Sequence, residues 1–391
     1  MLNFVMNPQR STEPYTAPAI SKWAQISALP FHQGISSYHP TPLRSLSGRA
    51  AELGVSNIWV KDESQRFGLN SFKGLGGSYA IAGYLCDQAG IPMDQNAFAR
   101  LCSQEIKNLL GQKTFITATD GNHGRGVAWA AKQMGHRAVV YMPEGTVRER
   151  VDKIQKLGAS ALVLQCNYDD AVRCAARDAE KNGWILVQDT AWAGYEAIPK
   201  RIMEGYTTLA GEIEDQLNGL RPTHLFLQAG VGSMAGAVAA YFSSHWKNEC
   251  PTIVVVESDQ ADCHFRTASA NDGKLHSVTG SMNSMMAGLC CGEVNPVSWE
   301  ILRQCTAAFI SCSDEDSASG MRLLGHPAAG DPVVVSGESG AVTMGAFAEL
   351  MKNPAYAKQR DLLKLNRDSR ILLISTEGAT DEENYERIMQ Q

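Results

Sequence analysis

The feature that most constrains this chain is the regular exchange of short apolar or β-branched runs with helical stretches. "NIWV" leads to a helix from about Phe72, "KTFITAT" to "GNHGRGVAWAAKQMG", "RAVVYMP" to "VRERVDKIQKLG", and "ALVLQC" to "YDDAVRCAARDAEKNG" and then "WILVQD". After a long helix over 199–217 the pattern resumes with "THLFLQAG", "SMAGAVAAYFSSHW", "TIVVVESD", "AAFISCSD", "SGAVTMGAFAELM" and "RILLIS". Parallel strands need a crossover between them, and a helix supplies it while covering a sheet face. The expected fold class is therefore α/β: two three-layer α/β/α domains with mostly parallel sheets. The most economical division is a smaller, mobile domain over 85–185 and a larger one built from 1–84 and 186–391.

Composition narrows the class of partner. With 391 residues, 44% hydrophobic and 19% charged, the chain can bury a sizeable core, and a formal net charge of −6 with scattered lysines and arginines gives no pull toward nucleic acid or an anionic membrane. Prolines and polar residues break up "MLNFVMNPQRSTEPYTAP" before a signal-peptide core could form, and no apolar run is long enough to span a bilayer, so a cytoplasmic protein with small-molecule partners is expected. Ten dispersed cysteines with no C-x-x-C pair do not support a metal site. Cys263, Cys290 and Cys291 share one irregular segment, 261–293, and read as free thiols or as a redox pair. That segment, rich in Gly, Ser, Met and Asn, fits neither helix nor strand period and is expected to form a wall or lid of the site.

Four strand-to-helix junctions carry the chemistry, because ligands of open α/β sheets bind at the carboxyl ends of the strands. In "QAGVGSMAGA" the backbone of Gly230, Val231, Gly232, Ser233 and Met234 opens a helix, and glycine-flanked N–H groups at a helix N-terminus suit a phosphate. A close-packed turn with no ligand would read the same way. In "NSFKGLGGSYA" Lys73 sits among Gly74, Gly76 and Gly77, which strip side chains from around the amine and suit a flat ligand lying against the backbone. A partly desolvated lysine amine is a nucleophile toward aldehydes, although a solvated helix-start lysine is the blander account. A phosphate loop together with such an amine points to pyridoxal 5′-phosphate.

In "TATDGNHGRGVAW" the strand ends at a tight turn whose amides could take a substrate carboxylate, while Asn122 can donate to the ring oxygen of the cofactor. Asp120 is out of place among such amides unless it transfers protons, pairs with a substrate cation, or simply caps the helix. "RILLISTEGATD" delivers Ser375 and Thr376 at a strand end, and a neutral hydroxyl facing the pyridine nitrogen favours elimination over transamination. Asp189 in "WILVQDTAW" also ends a strand, either as a site residue or as the cap of a turn. Glu338 in "SGESGAVTMGAFAEL" reads as a helix cap with no catalytic part.

In this order and over nearly the whole chain, "NSFKGLGGSYA", "ATDGNHGRGVAWAA", "VQDTAW", "FLQAGVGSMAG" and "ISTEGATDEENY" resemble the tryptophan-synthase-β (fold type II) family of pyridoxal phosphate enzymes. The lysine segment, the G-N-H-G turn and the glycine loop equally suit threonine dehydratase, cysteine synthase or serine racemase. Asp120, where those relatives usually place a small or hydroxyl residue, and Asp189 make the chain similar to the ammonia-lyases that act on 2,3-diaminopropionate. The resemblance implies a cofactor in the cleft between two domains, held in the larger one, with Lys73 as its Schiff-base lysine and Phe72 beside it. It implies that Asn122 meets the ring hydroxyl, that 230–234 holds the phosphate, and that Ser375 or Thr376, with Thr376 favoured, faces the ring nitrogen. Thr119, Asp120, Gly121, His123 and Asp189 then line the substrate pocket. The implied reaction is α,β-elimination of 2,3-diaminopropionate to pyruvate and two ammonia, by a homodimer. Lys73 would take the α-proton of the L-isomer, and Asp120 that of the D-isomer.

Three alternatives stay open at this level. A threonine or serine dehydratase would share the chemistry. A dinucleotide-binding oxidoreductase would read "AGVGSMAG" with Glu249 or Glu257 as the ribose ligand, against an imperfect glycine spacing. A ligand sensor on the same fold would be expected to lose Lys73 or the phosphate loop, and neither is lost.

Overall fold

The computed structural model of the chain describes residues 1–119 and 121–391, so Asp120, the candidate for proton transfer, lies outside the described residues. Among the described residues the chain divides into two compact units, one of Met1–Ile26, Thr41–Gln65 and Leu209–Gln391, the other of Ser27–Pro40 and Arg66–Thr208.

The first unit is built on a seven-stranded sheet in the order Asn3–Met6, Thr306–Cys312, Thr252–Ser258, His224–Gln228, Arg370–Ser375, Asn57–Asp62, Leu43–Ser45. The five central strands run parallel and the two edge strands antiparallel. Every residue of His224–Gln228 and of Thr306–Cys312 is buried, which happens only when both faces of a sheet are covered. Apolar residues of these strands, such as Phe226, Val254, Val256, Ile371 and Leu373, join Val342 and Phe347 of the helix Glu338–Lys352 in one core.

The second unit repeats the logic at smaller scale. Its four-stranded sheet, ordered Ser160–Val163, Arg137–Met142, Thr114–Ala118, Ile185–Leu186, is entirely parallel, and the helices Asn122–Gln133, Arg148–Gln155 and Tyr168–Asn182 are the crossovers that the sequence period predicts. The third of them buries Ala171, Val172, Ala175 and Ala179 against Ile116, Ala118 and Tyr141.

Three expectations differ from what the chain does. The second unit extends beyond 85–185 at both ends and takes in the helix Lys73–Ala89. The reason is the glycines after Lys73. A Cβ on Gly77 would lie 3.0 Å from the carbonyl carbon of Gly126, and one on Gly126 would lie 2.7 Å from the Lys73 carbonyl oxygen, so these two helices cross backbone on backbone. A Cβ on Gly76 would lie 2.7 Å from Ile202 and Tyr206, and one on Gly74 2.9 Å from Leu69. The glycines therefore clear space for neighbouring helices and side chains rather than for a flat ligand. Finally, the irregular segment 261–293 begins as a helix, Cys263–Ala270, before losing regular structure.

No helix among the described residues is long and apolar enough to cross a membrane. The glycine crossing generates a test. Gly126→Ala is expected to lower the stability of the protein by about 1–3 kcal/mol, the usual result of overpacking, as read by urea unfolding.

Candidate active site

Lys73 is the first residue of its helix, and its backbone N–H donates to Ser71 Oγ at 3.4 Å, which fixes the turn that aims the side chain. The amine Nζ lies 2.5 Å from Asp189 Oδ2 and 5.4 Å from the centroid of the Phe72 ring. Phe72 in turn packs on Tyr206, ring centroids 4.7 Å apart. Burial alone pushes the Asp189 carboxyl up. The Lys73 charge, the His123 ring and the Lys73 hydrogen bond outweigh it and hold the group well below the usual carboxylate range. Asp189 is thus a buried carboxylate kept ionised by its neighbours, not the cap of a turn.

The surroundings of Asp189 orient it. Gln188 Nε2 donates to Asp189 Oδ1 at 3.3 Å and to the Tyr168 hydroxyl at 2.9 Å, and that hydroxyl lies 3.4 Å from the same carboxylate oxygen. His123 Nε2 lies 2.8 Å from the Val187 carbonyl, which can only accept, so this nitrogen carries the hydrogen; Nδ1 faces Asp189 Oδ2 at 3.9 Å. The turn ahead of the helix Asn122–Gln133 is held by the Gly121 N–H donating to Thr119 Oγ1 at 2.9 Å, with Gly121 at φ 153, a backbone shape that favours glycine. Gly121 caps that helix without a side-chain bond. The helix's leading N–H groups, with Asn122 at its first position, form an electropositive end suited to a carboxylate.

In the first unit, Gly232 takes φ 91 and caps the helix Ser233–Trp246. Side chains brace this loop from behind. The Asn295 N–H donates to the Val231 carbonyl at 2.9 Å, Asn295 Nδ2 donates to Ser233 Oγ at 2.8 Å, and a Cβ on Gly232 would lie 2.4 Å from His264 Nε2. The braced glycine turn at the head of a 14-residue helix suits a phosphate. Val231 and Met234 are buried there, and a Cβ on Gly230 would lie 3.1 Å from the Gly288 carbonyl oxygen.

The two hydroxyls at the end of Arg370–Ser375 differ in commitment. Ser375 Oγ donates into the interior, toward Ser336 Oγ at 2.8 Å or the Glu377 carbonyl at 3.3 Å, whereas Thr376 Oγ1 lies 3.0 Å from Gln228 Nε2. Glu338 is the first residue of its helix behind the cap residue Gly337, and its carboxylate accepts from Asn384 Nδ2. Glu257, the ribose candidate of the oxidoreductase reading, is fully buried and accepts from His264 N at 2.9 Å, His264 Nδ1 at 2.8 Å and Phe265 N at 2.7 Å, which leaves it nothing for a ribose. Glu249 lies in a short turn beside Arg221 instead. Glu257, Cys263 and His264 stand close enough to hold a metal ion, but these same hydrogen bonds engage the carboxylate and the Nδ1 of the ring. Burial, then the Glu257 charge, push the Cys263 thiol well up.

The second unit offers an amine paired with a carboxylate, chemistry suited to an aldehyde, and the first unit offers a left-handed glycine turn at a helix head and a strand-end hydroxyl, chemistry suited to a phosphate and a ring nitrogen; each is a group that pyridoxal phosphate uses. A family model described as "Pyridoxal-phosphate dependent enzyme" matches residues 36–377. The chain belongs to that family. It is an enzyme, and its cofactor is pyridoxal 5′-phosphate. The chain is 49% identical over 377 residues to the diaminopropionate ammonia-lyase of Escherichia coli K12, covering 96% of this chain and 93% of that one. A crystal structure of the Escherichia coli enzyme in complex with D-serine superposes with a TM-score of 0.91 at 46% identity, over 100% of this chain and 97% of that one. A second, with an aminoacrylate-PLP azomethine reaction intermediate, gives a TM-score of 0.90 at 46% identity with the same coverage. The chain has PLP fold type II, as its motifs implied.

Sequence reasoning missed Tyr168, Gln188, Gln228, His264 and Asn295. Gln228 alone left a signal, as the polar residue that ends an apolar strand just ahead of the glycine loop. The Lys73–Asp189 pair predicts a pH dependence. Because the folded pKa of Asp189 is depressed, its stabilising effect is complete above the ordinary carboxylate value of about 4 and is lost as pH falls from there through the lower folded value. In cofactor-free protein, Asp189→Asn is expected to lower stability by about 3 kcal/mol at neutral pH. That deficit should shrink below about pH 4 in parallel denaturant titrations.

Proposed function

We propose that the chain catalyses the α,β-elimination of 2,3-diaminopropionate, with water, to pyruvate and two ammonia. The observation that carries the reading is Asp189, a buried, ionised carboxylate 2.5 Å from the Lys73 amine. When Lys73 Nζ is engaged with the aldehyde of the cofactor, this ion pair is broken, and a buried carboxylate that has lost a cation is less favourable. The second ammonium of 2,3-diaminopropionate restores the pair. A β-hydroxy amino acid brings no cation, which disfavours the dehydratase alternative. The relatives reported above support the same substrate.

The cofactor, when bound, withdraws electrons from the α-carbon of the amino acid and so acidifies its α-proton. The protein does the rest. The amides of 230–234 hold the phosphate, with Asn295 and His264 bracing the turn. Phe72 flanks the lysine, Asn122 donates to the ring hydroxyl, and Thr376 faces the ring nitrogen, since the Ser375 proton is already spent inside the fold. The head of the helix at Thr119, Gly121 and His123 receives the substrate carboxylate. Lys73 Nζ removes the α-proton of the L-isomer, and the Asp189 carboxylate keeps the β-amine in its ammonium form, which departs as neutral ammonia with its own three hydrogens. Asp120 is assigned as base for the D-isomer; the Escherichia coli enzyme has been crystallised in complex with a D-amino acid, D-serine. With this reading go a cytoplasmic location, a mobile smaller domain and a homodimer, the last to be checked by light scattering.

The test is a substrate panel. Asp189→Asn is expected to lower kcat/KM for L-2,3-diaminopropionate about a hundredfold or more and to change the rate with L-serine far less. Equal losses on both substrates would overturn the role of Asp189. Asp120→Asn should abolish turnover of the D-isomer while retaining a measurable rate with the L-isomer, read as pyruvate formed from each.

A further inference from the structure

We propose that Gln228 is the residue that sets the direction of the Thr376 hydroxyl, so that this hydroxyl donates to the ring nitrogen and keeps it unprotonated. The inference rests on the reading of Thr376 as the neighbour of that nitrogen.

Gln228 is buried at the end of the strand His224–Gln228, which runs parallel to and beside Arg370–Ser375. Its Nε2 lies 2.9 Å from the Ile374 carbonyl oxygen, 3.1 Å from that of Ser339 and 3.5 Å from that of Gly340. Carbonyl oxygens only accept, so the amide can stand only one way round: exchanging its nitrogen and oxygen would set Oε1 against all three. The same Nε2 is 3.0 Å from Thr376 Oγ1. An amide nitrogen has two hydrogens, shared here between the carbonyls and the hydroxyl, and no basic lone pair, so in this contact Thr376 can only accept. Its own proton has no acceptor among the described residues and is left for a ligand. Gln228 Oε1 is itself buried without a partner among the described residues, so the orientation is held against the loss of one acceptor.

A hydroxyl with one lone pair engaged and its own proton without an acceptor in the protein discriminates between ring states. It favours an unprotonated pyridine nitrogen, which takes that proton; a pyridinium would use the remaining lone pair and leave the hydroxyl proton unsatisfied. Gln228 thereby acts through Thr376 on how strongly the cofactor withdraws electrons, and so on the choice of elimination over transamination.

The experiment uses holoenzyme loaded with cofactor labelled with nitrogen-15 in the ring, titrated with pH while the ring nitrogen resonance is followed. In Gln228→Met, Thr376 is free to accept, and the ring nitrogen pKa is expected to rise by about one unit, the scale of a single hydrogen bond. Should that variant fail to fold, Gln228→Glu keeps the shape, removes the N–H donors and is expected to shift the titration in the same direction. Thr376→Val separates the two layers of the argument. A shift in Thr376→Val with none in the Gln228 variants overturns the role of Gln228 and leaves the placement of Thr376 standing. No shift in Thr376→Val overturns that placement and the inference with it.

Discussion

The second unit is organised around a buried carboxylate that its neighbours keep ionised. Asp189 has lost water around it, and burial by itself would drive it to the neutral acid. The Lys73 amine at 2.5 Å, with His123 beyond it, keeps it charged instead. That one pairing explains the hydrogen bonds from Gln188 and Tyr168 and the fixed tautomer of His123, all of which hold the carboxylate in one place. In the proposed function the same pairing links cofactor to substrate: engaging the lysine takes a cation from the carboxylate, which a cationic substrate restores and a neutral one does not.

The first unit solves a different problem, the delivery of polar groups from an apolar sheet. Its strands His224–Gln228 and Arg370–Ser375 are neighbours and run parallel, so their carboxyl ends bring the glycine turn and Thr376 out side by side. The sheet is buried throughout, and a polar residue at the end of a strand has to find partners locally. Gln228 does so with backbone carbonyls, Ser375 with Ser336, and Glu257 with the head of the next helix.

The glycine-rich segment behind Lys73 shows how local reading goes astray. Three glycines beside an amine look like room cleared for a ligand. In the folded chain Gly77 meets Gly126, Gly76 meets Ile202 and Tyr206, and the space is filled by other helices. Close approach of backbones was legible in "KGLGG"; what approaches was not, because Gly126 and Tyr206 are distant in sequence. The boundary of the smaller unit was misplaced for the same reason, since helix crossings rather than strand alternation assign Lys73–Ala89 to it.

The sequence by itself determined the parallel α/β class and placed Lys73 and the glycine turn 230–232 at helix heads and the hydroxyls of Ser375 and Thr376 at a strand end. Each of these rests on interactions within a few residues: hydrophobic period, glycine backbone freedom and the free N–H groups of a helix head. Only the tertiary structure decided which groups act on one another. Lys73 and Asp189 are 116 residues apart in the chain, and Gln228 and Thr376 148. Ser375 and Thr376 look interchangeable as neighbours in a string; a strand sends successive side chains opposite ways, and only the fold shows that the first is turned inward while the second keeps a proton to give.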